Sequence, residues 1–403
     1  MAIAPDREGF PELQPQGPEP VVTALDMILL FLLGVLVAGS MLVLSSSAHW
    51  FVRCWDFPRL QIIVLAWLLT FGMFLTSWFS DSTDRVPLWI PLAIATGLTC
   101  WHGFRIFPYT PIATRQAAAT ESGQQRDRGS DPSTVRIVIS NVEMENNQHD
   151  LWMQVMRDAD PDVLIVLEPN QKWIKAVQPL IDDFPERVII PQDNWYGMMM
   201  LSKLPMLKSE VRYLVQDDIP SIDAEVRLDD SRIMRVIAVH PRPPEPIRGN
   251  DATARDAELT LWGKELAQEK RPTIIGGDLN DVAWSSTTRL FLRVSKMLDP
   301  RRGRGMFNTF HADHVWMRFP LDHVFVSPDF TISDVRLLPF VGSDHFPIRI
   351  ELRHAPEKKK KHEVMTQKPG DEEEAEEKIE RAVEDPEMNG EAVKNPTLTK
   401  REL

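Results

Sequence analysis

Hydrophobic positions follow two regimes along the 403-residue chain. Up to about residue 107 they come in long unbroken runs, and from about 134 to 354 in short runs closed by polar residues. Three long runs, Val21–Leu44, Gln61–Phe79 and Val86–Phe107, each approach the ~20 residues needed to cross a bilayer core. Trp50, Trp55, Trp67, Trp78, Trp89 and Trp101 lie mostly near the ends of those runs, as an interfacial aromatic belt would. The pattern predicts three transmembrane helices within 21–107. A cleaved signal peptide fits the first run poorly, because no basic leader precedes it and two further spans follow.

The short runs predict a mixed α/β domain over 134–354. Strand-like stretches are Val135–Ser140, Val163–Leu167, Val188–Ile190, Met198–Leu201, Val211–Leu214, Ile222–Val226 and Ile233–Val239. Thr273–Ile275, Leu321–Ser327, Ile332–Leu338 and Ile348–Leu352 continue the series. Apolar residues at helical spacing place helices at Asp150–Asp160, Trp173–Ile181, Ala252–Gln268 and Leu290–Met297. Strand runs mixed with βα units in one long domain imply two packed sheets.

The flanks are polar. Residues 1–20 predict a disordered leader, 108–133 a flexible linker and 355–403 a charged, solvated tail with a transient helix at Glu372–Val383. The formal charge of −13 is partly a property of that tail. A mildly acidic domain argues against sequence-independent nucleic-acid binding, which needs a basic footprint. It is compatible with a metal site, which is acidic until filled. Cys54 and Cys100 are the only cysteines, so the α/β domain has neither a disulfide framework nor a cysteine metal site. Arg53, Arg59, Arg105 and Arg115 outnumber Arg7 and Arg85 on the opposite side. The positive-inside rule therefore puts the large domain in the cytoplasm.

Chemistry collects where the strands stop. The stretch PTIIGGDLND closes a strand with two glycines and then supplies Asp278, Asn280 and Asp281 at its carboxyl end, where open α/β sheets tend to place ligands. Such oxygens hold a hard cation or orient a water. Elsewhere VRIVIS runs into Asn141, VLIVL into Glu168 and RVIAV into His240. LDHVFVS opens on Asp322 and His323, and GSDHFPI carries Asp344 and His345 before the last strand. Any one of these reads equally well as turn chemistry. Six strand ends of this kind do not.

The set Asn141, LEPN, VHPRPP, GGDLN, LDHVFVS and GSDHFPI, in that order over Val135–Leu352, resembles the endonuclease/exonuclease/phosphatase superfamily, the deoxyribonuclease I-like fold. The preceding apolar runs resemble a bacterial branch with multi-span N-termini, which implies an inner-membrane protein. The resemblance implies a four-layer α/β/β/α sandwich and Mg²⁺-dependent (alternatively Mn²⁺-dependent) hydrolysis of phosphodiesters or phosphomonoesters. It also implies roles. Asn141, Glu168 and Asp344 would hold the metal. Asp278 would prepare the water, Asn280 would bind phosphoryl oxygens, and His345, held by Asp322, would contact the scissile phosphate. His240 would stabilise developing charge or assist the leaving group.

Neighbouring residues extend the expectation. Tyr196 and the loop arginines Arg301, Arg302 and Arg304 are candidate substrate contacts. Asn146 and Asn147 are candidate supporting groups, and Trp284 and Ser285 are expected to pack under the site. The bilayer is an expected partner, and the substrate stays open between a lipid-derived ester, a small diester and nucleic acid. Two rival readings are a nuclease of this fold and a non-enzymatic, membrane-bound interaction domain.

Overall fold

The computed structural model describes residues 24–79, 86–121, 133–229, 231–245 and 249–394. The predicted leader lies outside the described residues. The N-terminal part comprises α1 (Ala24–Leu42), α2 (Trp50–Arg53), α3 (Arg59–Phe79) and α4 (Trp89–Ile106). Among the described residues, α1 and α3 are the two helices long and apolar enough to cross a membrane. The third predicted span, Val86–Phe107, forms a helix of 18 residues, but His102 and Arg105 break its apolar character near the end. Leu33, Leu36, Ile62, Ala66, Ala95 and Leu98 bind the three helices into one bundle.

The α/β domain follows in the order β1 (Thr134–Asn141), α5 (His149–Ala159), β2 (Val163–Leu167), α6 (Gln171–Ala176), α7 (Gln178–Ile181) and β3 (Glu186–Ile190). Next come β4 (Met198–Ser202), β5 (Met206–Arg212), β6 (Ser221–Asp229), β7 (Arg232–Ala238), α8 (Thr253–Gln268) and β8 (Thr273–Asp278). The chain closes with α9 (Ser286–Ser295), β9 (Asp322–Val326), β10 (Phe330–Leu337), β11 (Ile348–His354), α10 (Asp371–Glu384) and α11 (Glu391–Lys394). Two sheets result, ordered β10-β11-β1-β2-β4-β3 and β5-β6-β7-β8-β9.

Strand alternation sorts the apolar side chains into layers. Ile137 and Ile139 of β1 meet Val236 of β7 and Ile274 of β8 in a core between the sheets. Val138 points the other way, against Trp152 of α5 and Trp173 of α6. Ile237 and Ile275 pack outward against Trp262 of α8 and Phe291 of α9. The layering is helix, sheet, sheet, helix. β1 and β2 are parallel, as are β7 and β8, so both sheets present strand carboxyl ends on the same side of their central pairs.

Three expected features take a different form. Of the segment 108–133, residues 108–121 are pinned rather than a free linker, and 122–132 lie outside the described residues. Gln116 is buried and accepts the Asp299 N–H, while Thr120 donates to the Ile332 carbonyl at 2.9 Å. The expected disordered tail, 355–403, includes α10, which covers α8 and α9. Its Lys378 reaches Asp256 at 2.7 Å, and Asp371 binds Arg293 through two 2.7 Å contacts. The same contacts explain why α8 departs from a simple amphipathic pattern. Its polar face, including Arg255, Asp256 and Glu258, is buried under neighbours instead of being solvated.

Candidate active site

Asn141 ends β1, Glu168 follows β2, His240 lies two residues past β7 and Asp278 ends β8. Asp322 starts β9, and Asp344 and His345 precede β11. Antiparallel pairing of β8 with β9 sets Asp278 opposite Asp322. The turn after β7 approaches β8 so closely that only glycine fits. A Cβ on Gly277, whose φ is +156°, would lie 1.8 Å from the Val239 carbonyl oxygen. Gly197 plays the same part beside β2: it accepts the Glu168 N–H at 2.8 Å, and a Cβ there would strike the Pro169 oxygen. Glu168 and Asn280 hold left-handed backbones, with φ of 68° and 50°. Non-glycine residues take up that region at a cost that functional sites commonly bear.

The centre of the site is a pair of carboxylates joined by an amide. Asn141 Nδ2 donates to Glu168 Oε1 at 2.7 Å and to Asp278 Oδ2 at 3.2 Å, while its Oδ1 accepts the Glu143 N–H at 3.0 Å. Asp278 Oδ1 accepts the Asn280 N–H at 2.9 Å. Two imidazoles flank the pair. His345 Nε2 lies 3.5 Å from Asp278 Oδ2, and its Nδ1 donates to Asp322 Oδ2 at 2.7 Å. His240 Nε2 lies 3.9 Å from Glu168 Oε1 and 4.0 Å from Asp278 Oδ2, and its ring faces Tyr196 at 5.5 Å.

Burial and charge divide the titratable groups. Burial raises Glu168 to about 7, against the opposing pull of the Asn141 hydrogen bond. It also raises Asp344, with Asp278 adding to the effect, and lowers His240. His345 goes the other way: burial opposes its charge, but Asp322 and Asp278 carry it up to about 10. At neutral pH the two imidazoles therefore differ, His345 being cationic and His240 neutral.

The oxygen-rich set suits a hard cation. Glu168 and Asn141 are in contact at their strand ends, and Asp344 lies close enough to raise Glu168 further, so all three could offer oxygens to one ion. For Asn141 to serve, its Oδ1 must exchange the Glu143 N–H for the ion. Among the described residues, the titratable groups whose ligand atoms lie within 4.8 Å of one another are Asp278, Asp322 and His345. Two of these are already paired with each other, and imidazole is a poor ligand for Mg²⁺. Glu168 would be the better anchor for such an ion.

Other expected residues fall elsewhere. Arg301 is buried and tied to Asp299 and to His323 Nδ1, while Arg302 reaches Met365 Sδ and Arg304 the Ala117 carbonyl. The loop is thus a structural clamp rather than a phosphate grip. Asn146 ties Val142 and Val341 carbonyls together, and Asn147 sits exposed beside Lys172. Trp284 packs toward the N-terminal helices, its Nε1 donating to the Asp56 carbonyl at 2.7 Å, and Ser285 caps α9.

Three contributors escaped the sequence reading. Glu143 Oε2 accepts the Asp344 N–H at 3.0 Å, Ser343 Oγ donates to the Asn141 carbonyl at 2.9 Å, and the Phe310 ring lies 5.0 Å from that of His345. Glu143, two residues after Asn141, was the one with a legible signal.

The endonuclease/exonuclease/phosphatase family model matches residues 138–345. Similar solved structures include a humanised D. rerio TDP2 with 14 mutations, 14% identical, covering 55% of this chain and 99% of that one with a TM-score of 0.44. The endonuclease/exonuclease/phosphatase from Beutenbergia cavernae DSM 12333 is 15% identical, covering 55% and 72% with a TM-score of 0.45. The human Nocturnin catalytic domain with bound sulfate is 14% identical, covering 56% and 95% with a TM-score of 0.46. No curated protein matches the chain.

Proposed function

The chain belongs to the endonuclease/exonuclease/phosphatase family, and on that premise we propose that it is a membrane-anchored, Mg²⁺-dependent phosphoesterase that hydrolyses a phosphodiester by in-line attack of water. One observation carries the reading: Glu168 and Asp278 share a single Asn141 amide, with the Asp322–His345 pair 3.5 Å away. A carboxylate for the cation, another for the water and a cationic imidazole for the phosphate meet at one point.

Glu168, with Asn141 and Asp344, would hold the metal. A bound Mg²⁺ supplies Lewis-acid polarisation of the phosphoryl oxygens and neutralises their charge. Asp278 keeps Oδ1 on the Asn280 N–H, and its Oδ2, which also accepts the Asn141 amide, would take a proton from the attacking water. Asn280 presents its side chain beside the loop at Pro241, which its Nδ2 holds at 3.1 Å. His345 keeps its proton at neutral pH because Asp322 binds Nδ1 and Asp278 faces Nε2 at 3.5 Å, and that Nε2–H would donate to a phosphoryl or leaving oxygen. Burial keeps His240 neutral, which suits it to hydrogen-bond developing charge rather than to carry charge of its own.

Two long apolar helices support membrane anchoring, and α4 would complete a three-span bundle. The locked state of Arg301, Arg302 and Arg304 favours a small or lipid-derived ester over nucleic acid. Turnover of an aryl phosphodiester by the purified chain, dependent on Mg²⁺ and lost in Asp278→Asn, tests the reading.

A further inference from the structure

A groove of about 690 Å³ runs between the membrane-proximal helices and the candidate active site. One end is lined by Asn280, Phe310 and Leu321. These are, respectively, the proposed phosphoryl-oxygen ligand, the ring against His345 and the residue before Asp322. The far wall comes from Phe57 and Pro58 in the turn into α3, from Gln61 in its first turn, and from Cys54 just after α2. The lining is almost wholly apolar, and the volume suits a small-molecule site, where an apolar wall and a few polar groups share recognition.

The two halves are fastened together. Phe57 packs edge-on to Phe319 at 5.5 Å, and Gln61 Nε2 donates to the Trp316 carbonyl at 2.8 Å. At the mouth, Val315, Trp316 and Met317 form a turn that projects apolar side chains outward, with Trp316 82% exposed. The groove also lies at the level where α1 ends and α3 begins. In a membrane-anchored protein that is the bilayer interface, where exposed tryptophan is favoured.

We propose that this groove holds the hydrocarbon part of a lipid phosphodiester, whose phosphate lies at Asp278, Asn280 and His345. This rests on the hydrolase reading above and names its substrate class. A polar phosphate end and an apolar tail match a site with polar groups at one end and an apolar trough at the other. A nucleic-acid strand would instead press charged phosphates on the trough. In the reaction, the water oxygen bonds to phosphorus as the phosphorus–oxygen bond to the leaving alcohol breaks. Asp278 takes the water proton and the His345 imidazolium protonates the departing oxygen. The products are an alcohol and a phosphomonoester, and no other reactant is needed.

The test uses the full chain in amphipol with Mg²⁺ and a series of alkyl para-nitrophenyl phosphodiesters from methyl to dodecyl. kcat/KM should climb with chain length, by up to about fourfold per methylene buried. In Trp316→Asp the dodecyl-to-methyl ratio should fall toward one. In a Cys100→Ser background, dodecyl phosphate should slow maleimide labelling of Cys54 while ethyl phosphate does not. A flat series, with the methyl ester turned over, would overturn the inference and leave the hydrolase reading standing. So would faster cleavage of oligothymidylate than of the dodecyl ester, or labelling of Cys54 indifferent to dodecyl phosphate. If no ester in the series is hydrolysed, the hydrolase reading falls and the lipid assignment with it.

Discussion

His345 donates its Nδ1 proton to Asp322 at 2.7 Å, while its Nε2 faces Asp278 at 3.5 Å. One imidazole thus joins two strand ends, β9 through Asp322 and β8 through Asp278. The carboxylate on Nδ1 fixes the tautomer and stabilises the cation. With Asp278, it holds His345 at about 10 against the opposing effect of burial.

Asp322→Asn should therefore remove much of that support without emptying the site. The expected result is a fall in kcat/KM of roughly 10²–10⁴, the usual range for general acid–base groups. The alkaline limb of the pH–rate profile should also move to lower pH. A pH–rate profile of the variant beside wild type checks both. A rate loss with an unmoved limb would deny Asp322 its effect on His345.

Glu168 gives a prediction about metal binding. Burial raises it to about 7, so the proton competes with a cation as pH falls below that value. Apparent Mg²⁺ affinity should decline by up to about tenfold per pH unit on the acid side and level off above neutrality. Glu168→Gln should lose affinity and flatten that dependence. Calorimetric titration across this pH window checks it.

How much of this was legible is clearest residue by residue. β1 and β2 were readable because an unbroken apolar run closed by one polar group marks a buried strand end. Glu168 stands out at such an end, and Asp278 after the two glycines that close β8, but each becomes a site residue only as one of six such strand ends. Their shared amide was not legible, because the contact between Asn141 and Asp278 spans 137 positions and depends on how two sheets face each other. Arg301 was misread for a similar reason. A basic loop looks solvated until the partners that bury it, Asp299 and His323, are brought alongside. In the tail the helix at Glu372–Val383 was legible but its docking was not: DEEEAEEKIERAVE is highly charged, yet α10 packs through Ala375 and Ala382 and the buried Lys378.

Lys378 should accordingly matter to stability. Its Nζ reaches Asp256 at 2.7 Å, and Arg53 of α2 approaches the same carboxylate at 3.9 Å. These cations, with Arg255, hold Asp256 far below the usual carboxylate range even though burial acts in the opposite direction. Lys378→Ala leaves that carboxylate short of a partner and should cost about 3–5 kcal/mol. Thermal unfolding of the full chain, wild type against variant, measures it. A change near zero would mean that α10 is not docked in solution.

Glu258 supplies a stability prediction away from the site. It is buried on α8, accepts the Ser221 hydroxyl at 2.8 Å, and is raised to about 7, chiefly by burial. The raised carboxyl favours the folded state fully below its unfolded value near 4.5, and that contribution is lost as pH rises through about 7. Glu258→Gln keeps an acceptor without the charge. It should raise stability above pH 7 by on the order of 3 kcal/mol and change it little in acid. Unfolding curves at acid and alkaline pH decide this.

The most direct test of metal-assisted phosphoester hydrolysis is single-turnover cleavage of a phosphodiester by the purified full chain and its Asp278→Asn variant, with Mg²⁺ and then with EDTA. The account predicts turnover by wild type only with the metal, and a drop of roughly 10²–10⁴ in a variant that still folds and binds Mg²⁺. Equal turnover by both proteins, or turnover by wild type untouched by EDTA, would contradict it.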